Sequence, residues 1–294
     1  MPKTFRYGGQ AIMEGVMMRG PKNLAMAVRR PDGEIDITVK PLPSIYTGRL
    51  RRIPFLRGIL VLIEAMVIGV QCIFHSANIA LGEEEELSGA QMWVVLAFSI
   101  VLSVGLFFVA PLFLANISDT TRDSSVLFHV AEGIIRIGIF LLYLGFMNLI
   151  PSTRDFFAYH GAEHKVVNAY EHGAPLEIEA TRNYSTAHTR CGTAFLLAVL
   201  VIAIGVFALV GTPAMWIRIL SRIVLIPVIA AIAYEITQLG ATHSNNPLVR
   251  AILTPGLALQ MLTTRQPNDS QLEVAILALK NVVEEEQPLE QGVA

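Results

Sequence analysis

Two histidines stand four residues apart in residues 159–165, with a glutamate between them: His160, Glu163 and His164. Side chains three and four residues apart share one face of a helix, so a helix here would bring the three together. Two imidazoles at this spacing can bind one Zn²⁺, and the carboxylate lies close enough to take a proton from a bound water. The order H-x-x-E-H is that of the inverted zinc-peptidase motif. The sequence therefore predicts His160 and His164 as metal ligands and Glu163 as a catalytic base.

His188 and Cys191 are candidate further ligands, because they stand three residues apart just before an apolar segment. A mixed nitrogen and sulfur shell is typical of zinc. Two other interpretations of Cys191 stay open. It could be a nucleophile with a lowered pKa, or a small buried side chain at a helix start. There are two secondary candidates for the site. Glu14 lies close to glycines that allow another segment to approach. Glu235 lies in the last apolar segment and could bind the metal or orient a ligand.

The composition indicates a membrane protein. The chain of 294 residues is 53% hydrophobic and 16% charged, with a mean hydropathy of +0.54, whereas soluble domains carry about 25% charged residues. Two cysteines are too few for a disulfide framework. No motif that reads bases accompanies the basic residues, so nucleic acid is not an expected partner. We expect a mainly α-helical integral membrane protein whose first partner is the lipid bilayer.

Four apolar segments are long enough to span a bilayer: residues 92–115, 126–150, 193–212 and 219–240. The H-x-x-E-H motif follows the second of them. A helix that begins near Asp155 would place the motif just outside the membrane.

Residues 58–81 allow two interpretations. The segment is apolar enough to be a fifth span, but a line of polar side chains follows one helical face: Arg57, Glu64, Gln71, His75 and Asn78. Such a stripe suits a helix that lies in the interface or packs against other helices. With four spans, the N-terminal segment, residues 151–192 and the C-terminal segment lie on the same side of the membrane. They hold eleven, four and three Lys or Arg, respectively. The opposite loops hold only Arg122 and Arg218, so the positive-inside tendency favours four spans with the motif in the cytoplasm.

Residues 1–57 are expected to form a small, soluble, basic and β-rich module. Residues 24–30 and 34–40 flank a Pro-Asp-Gly turn sequence, which is typical of a hairpin. Residues 8–19 are expected to supply a third strand, with methionines that fill a core.

The C-terminal segment is expected to be cytoplasmic. Pro255-Gly256 is expected to break the chain, residues 271–283 have the apolar spacing of an amphipathic helix, and the acidic residues 284–286 are expected to be solvated. The predicted division is therefore residues 1–57, 58–81, 92–240 with a metal-site loop at 151–192, and 241–294.

Within the second span, His129, Glu132 and Arg136 fall on one helical face. Ionisable residues inside a membrane often mark a functional pathway, and Glu132 with Arg136 is also a suitable structural ion pair. If these residues formed the path of a carrier for a small ion or solute, so few spans would require a homo-oligomer.

The sequence resembles the YqhQ-like family of bacterial membrane proteins, which are predicted metal-dependent enzymes. The resemblance covers nearly the whole chain and rests on residues 8–19 (GGQAIMEGVMMR), 159–165 (YHGAEHK), 190–193 (RCGT), 234–235 (YE), 255–257 (PGL) and 263–265 (TTR). One departure is Thr189, where the family more often has proline. The resemblance implies a multi-pass protein of the bacterial inner membrane, and it implies no particular reaction.

The leading hypothesis from the sequence is a membrane-embedded hydrolase that uses a divalent metal, with Zn²⁺ expected, and acts on an unidentified substrate. The alternatives are the carrier described above and a non-catalytic membrane assembly factor.

Overall fold

The computed structural model describes residues 7–82, 88–117, 125–243 and 246–291, with only the backbone described for 241 and 287–291. The described residues are mostly helical (71%) and begin with a small antiparallel sheet. The strands are β1 Gly8–Ile12, β2 Gly15–Arg19, β3 Asn23–Arg29 and β4 Ile35–Pro41. The first helices are α1 Ser44–Thr47, α2 Leu56–Leu81, α3 Gly89–Val104, α4 Ala110–Ile117 and α5 Ser125–Met147, with a 3-10 turn at Arg49–Arg52 and a π-helical segment at Gly105–Val109. The remaining helices are α6 Pro151–Glu171, α7 Ile178–Arg182, α8 Gly192–Val210, α9 Met215–Val224, α10 Ile226–Thr242, α11 Pro247–Gln260 and α12 Asp269–Gln291.

The sheet has the strand order β1-β2-β3-β4. Residues 8–19, expected to form one strand, form two, because the chain reverses between Ile12 and Gly15, which face each other in the register. Glu14 lies in this turn with a φ of 47°. Such a backbone conformation is uncommon for a residue with a side chain, and here it marks a tight hairpin.

The sheet lies between two helical layers, because alternate side chains of a strand point to opposite faces. One face, which includes Met17 and Met26, packs on Ile68 and Cys72 of α2. The other face packs on α6 and α12 through a second cluster, which includes Ala11, Val16, Met18, Tyr159, Val166, Leu272 and Leu279. The predicted role of the methionines of residues 8–19 as core residues is confirmed for Met17 and Met18 and is wrong for Met13, whose side chain is 42% exposed.

The end of α12 is bound to the sheet. The helix contains the predicted amphipathic segment, but Glu286, expected to be solvated, is only 3% exposed. Its carboxylate accepts hydrogen bonds of 2.7 Å from the backbone N–H groups of Lys22 and Asn23. The expectation was wrong because these backbone donors in the β2–β3 turn need a buried acceptor.

In the part of the chain that the structure describes, four helices are long and apolar enough to cross a membrane: Leu56–Leu81, Gly89–Ile117, Ser125–Met147 and Gly192–Val210. The pair Met215–Val224 and Ile226–Gly240 would form a fifth crossing, bent by 46°. The predicted span at 219–240 lies within this bent pair. Pro227, in the first turn of α10, lacks the N–H that would continue the helical hydrogen bonds.

The predicted break at Pro255 is also wrong, since α11 continues through it. The hydroxyl of Thr254 donates to the carbonyl of Arg250 at 2.8 Å. Gly256 lies against α8 so closely that an added Cβ would be 3.0 Å from the Cβ of Ala194. Packing against α8 therefore retains a helix that local propensity disfavours.

Candidate metal centre

The H-x-x-E-H stretch lies in the second half of α6. The helix begins at Pro151, which occupies its first turn, and not near Asp155 as expected. Proline suits this position because its missing N–H would have no partner there. The helical spacing brings the rings of His160 and His164 to 4.4 Å between centroids. His164 is 2% exposed and His160 is half-buried.

Cys191 meets these histidines from another helix. It caps the start of α8, and its Sγ accepts the N–H of Thr193 at 3.4 Å. The same Sγ lies 3.4 Å from Nε2 of His160. One ligand atom each from His160, His164 and Cys191 lies within 4.8 Å of the others, so the three could hold one metal ion. Two nitrogens and one sulfur form a donor set that zinc favours.

Both imidazoles are oriented by backbone carbonyls. Nδ1 of His160 lies 2.8 Å from the carbonyl of Thr263, and Nδ1 of His164 lies 2.6 Å from that of Thr186. A carbonyl only accepts, so each Nδ1 carries the proton and each neutral ring presents the lone pair of Nε2 to the cluster. Metal-binding histidines are commonly held in this way.

Glu163, on the same helix, lies next to the cluster. Its Oε1 accepts the N–H of Gly9 at 3.0 Å, and its Oε2 lies 3.4 Å from Nε2 of His164. Gly9 allows this approach, because an added Cβ would be 2.2 Å from the carbonyl oxygen of Met17 and 3.1 Å from Cγ of Glu163. Strand β1 thus fixes the carboxylate beside the histidines.

The loop between α6 and α8 is held to α6 by side-chain donors. Nζ of Lys165 donates to the carbonyls of Arg182 and Tyr184 at 2.7 and 2.6 Å. Burial lowers the pKa of Lys165. Asn168 donates to the carbonyls of Ser185 and Ala187. These bonds position the loop whose Thr186 carbonyl orients His164.

His188, a predicted ligand, lies beside the cluster but is not one of the three grouped residues. Gln260 accepts the backbone N–H of His188 and donates to its carbonyl, both at 2.8 Å. The ring is 5.7 Å from that of His164 between centroids, and its Nε2 lies 3.5 Å from Glu171. Burial raises the pKa of Glu171, but hydrogen bonds from His188 and Arg190 outweigh it and lower this pKa to about 2. His188 thus helps to position the residues before Cys191.

Two secondary candidates lie outside the cluster. Glu14 accepts a hydrogen bond of 3.3 Å from the hydroxyl of Tyr159, whose pKa is raised by burial and by this carboxylate. Glu235 forms an ion pair with Arg57 and accepts the N–H of Phe55 at 2.9 Å, which joins α10 to the start of α2.

The candidates in the second predicted span form a separate buried cluster. Glu132 accepts hydrogen bonds of 2.5 Å from Arg136 and from Arg222 of α9, and Nδ1 of His129 lies 3.2 Å away. Arg136 also donates to the carbonyl of Phe107 in the π-helical segment at 2.9 Å. The four ionisable side chains are each 1% exposed. The cluster therefore connects α5, α9 and the π-helical segment.

Comparisons with known proteins give a family and no reaction. The family model described as "Protein of unknown function (DUF1385)" matches residues 53–285. The "Uncharacterized protein YqhQ" of Bacillus subtilis (strain 168) is 36% identical over an alignment that covers 97% of this chain and 95% of the relative. No solved structure matches the chain significantly.

Proposed function

The chain belongs to the DUF1385 family, and we propose that it is a metal-dependent hydrolase of the membrane, with Zn²⁺ held by His160, His164 and Cys191. The observation that carries the proposal is the cluster of their three ligand atoms within 4.8 Å. Both imidazoles already present Nε2 to it, because the carbonyls of Thr263 and Thr186 bind the opposite nitrogens.

When bound at such a site, Zn²⁺ lowers the pKa of a water ligand to about 7 and polarises a carbonyl or phosphoryl oxygen. Three protein ligands leave a fourth position open, as in catalytic zinc sites. Cys191 would bind as the thiolate, which is the form of cysteine that binds metals.

Glu163 is the proposed general base. The N–H of Gly9 occupies Oε1, so Oε2 beside His164 is the oxygen available to a proton. A carboxylate held in this way can take the proton of an attacking water and return it to the leaving group. The contact from β1 keeps the carboxylate in position without a further charged partner among the described residues.

The packing of the sheet supports four membrane spans. The sheet, α6 and α12 share one hydrophobic core, so they belong on one side of a membrane. The chain between the sheet and α6 must then cross an even number of times, and α3–α4 and α5 provide two crossings. Between α6 and α12, α8 and the bent pair α9–α10 provide two more.

In this arrangement α2 does not cross the membrane. Its buried side chains, which include Glu64, Ile68 and Cys72, face the sheet. Ile63, Met66 and Val67 are 44–52% exposed on its other side. An apolar face opposite a protein-covered face suits a helix that lies in the membrane interface. The basic residues of the sheet side favour a cytoplasmic position for the proposed metal centre in a bacterial cell.

The carrier alternative has less support than the hydrolase. Glu132 already accepts hydrogen bonds from two arginines, and both arginines have further partners. A fully paired buried cluster of this kind stabilises helix packing and leaves no obvious group to bind a transported ion.

The test is hydrolysis by the zinc-loaded full-length protein in detergent, with p-nitrophenyl acyl esters and bis-p-nitrophenyl phosphate as substrates. Glu163→Gln keeps an oxygen for the N–H of Gly9 and removes the base, so it should keep the metal and lose activity by about 100-fold or more. Glu235→Gln, which alters a carboxylate outside the centre, is the matched control and should remain active. Equal activity of wild type and Glu163→Gln would overturn the assignment of the base.

A further inference from the structure

A cavity of about 780 Å³ lies between α2, α8, α10 and α11. This volume is within the range of small-molecule sites in proteins, about 300–1,000 Å³. Most of its wall is hydrocarbon, with Ala65, Leu197, Ala198, Val201, Ile236 and Leu253 among its lining residues. An apolar space of this size binds an apolar molecule more favourably than water.

One polar part of the cavity lining coincides with the candidate metal centre; the other lies near the end of α10 and the start of α11, at Thr237, Gln238, His243 and Asn246. Thr189, Arg190 and Cys191 line the cavity, and Cys191 is also one of the three grouped ligands. The side chain of Arg190 is 21% exposed and forms an ion pair with Glu171. A molecule in the cavity would therefore have its hydrocarbon part between the helices and its polar part beside Cys191.

We propose that this cavity binds the hydrocarbon chain of a membrane phospholipid and presents the lipid's polar end to the metal centre. Two of its walls, α8 and α10, belong to candidate spans, so the surrounding medium at this depth consists of acyl chains. Cys191 at the start of α8 and Gly240 near the end of α10 both line it, which locates the cavity at the cytoplasmic half of these helices. The assignment of this lipid as a substrate rests on the proposed hydrolase function; the binding of the chain does not.

Photo-crosslinking tests the binding. The full-length protein is reconstituted in phosphatidylglycerol vesicles that contain the same lipid with a diazirine at one chain end, and labelled residues are mapped by mass spectrometry. Leu253 reports on the cavity, and Leu209, which is 89% exposed near the far end of α8, reports on bulk lipid. The wild type should show more label at Leu253 than at Leu209.

Ala198→Trp fills the cavity and should lower the ratio of Leu253 to Leu209 label by roughly fivefold or more, since an indole occupies space that the chain needs. Leu196→Trp is the matched control, because Leu196 is 48% exposed on the same helix, is not among the cavity's lining residues, and should leave the ratio unchanged. Ala65→Trp fills the cavity from α2 and replaces Ala198→Trp if that variant does not fold.

Two outcomes would overturn the proposal: no excess of label at Leu253, or an unchanged ratio in both filling variants. The experiment is repeated after removal of metal with a chelator. Labelling that persists in metal-free protein supports the cavity assignment even if the protein proves not to be a metalloenzyme, so the two proposals can fail separately.

Discussion

Sγ of Cys191 lies 3.4 Å from Nε2 of His160, although 31 residues separate them in the chain. The contact joins the start of α8 to the middle of α6, and it converts a two-histidine motif into a cluster of three ligands. Because Cys191 also lines the large cavity, the contact connects the proposed metal centre with the proposed lipid-binding cavity.

Metal binding should protect Cys191 from alkylation. Iodoacetamide attacks the free thiolate, so chelation should speed its reaction at Cys191 by about tenfold or more. Cys72 should stay unreactive, because burial between the sheet and α2 raises the pKa of its thiol to about 11. Mass spectrometry of each cysteine peptide gives both rates. An alkylation rate at Cys191 that is indifferent to added zinc and to chelator would argue against its role as a ligand.

Gly9→Ala should destabilise the protein, and Gly8→Ala should not. A Cβ at Gly9 would be 2.2 Å from a backbone oxygen, whereas a Cβ at Gly8 meets nothing within 4 Å. The overpacking should cost about 1–3 kcal/mol and displace Glu163, so activity should fall as well. Thermal unfolding in detergent compares the two neighbours on one strand; equal midpoints would contradict the close approach of β1 to β2 and α6.

Glu132→Gln should lower stability strongly. The change leaves the buried guanidinium groups of Arg136 and Arg222 without their carboxylate, a loss of about 3–5 kcal/mol. Asp36→Asn alters an ion pair with Arg30 whose side chains are 24% and 46% exposed, and should cost about 0–1 kcal/mol. Unfolding midpoints provide the comparison. A stable Glu132→Gln variant that had lost transport in vesicles would instead favour the carrier.

Glu171 should stabilise the protein in a pH-dependent manner. Its pKa is lowered from 4.5 to about 2 in the folded protein. A carboxyl with a depressed pKa stabilises the fold above its unfolded pKa, and this contribution is lost as the pH falls through the folded value. The difference in unfolding midpoint between wild type and Glu171→Gln should therefore be constant above pH 4.5 and shrink between pH 4.5 and about 2. A difference that does not change with pH would mean that Glu171 acts through packing alone.

Local sequence patterns predicted the helices and the candidate ligands better than they predicted the contacts between distant segments. The spacing of His160 and His164 and the position of Cys191 before an apolar helix were enough to suggest the ligands. The carbonyls of Thr186 and Thr263 carry no side-chain signal, so their role could not be read from residue types. Gln260, 72 residues from His188, is an ordinary polar residue whose bidentate contact depends on the fold.

Some signals were present and were missed. Arg222 lies within a predicted span, where an ionisable residue suggests a partner, and it pairs with Glu132. Gly9 of strand β1, which binds Glu163, lies 154 residues earlier in the chain. A single sequence does not show that these two segments are in contact. Helix α11 also continues through Pro255, where helix propensity alone predicts an end, because the helix packs against α8.

Zinc content is the most direct test of the central claim. The full-length protein, purified after growth with zinc and analysed by plasma emission, should contain about one Zn²⁺ per chain, since its three ligand atoms form one group. The variants His160→Ala and His164→Ala should lose the zinc. The controls His188→Ala and His172→Ala should keep it. Nε2 of His188 lies near Glu171, and Nδ1 of His172 bonds the carbonyl of Asn168. Wild type without stoichiometric metal, or His160→Ala that retains it, would contradict the account.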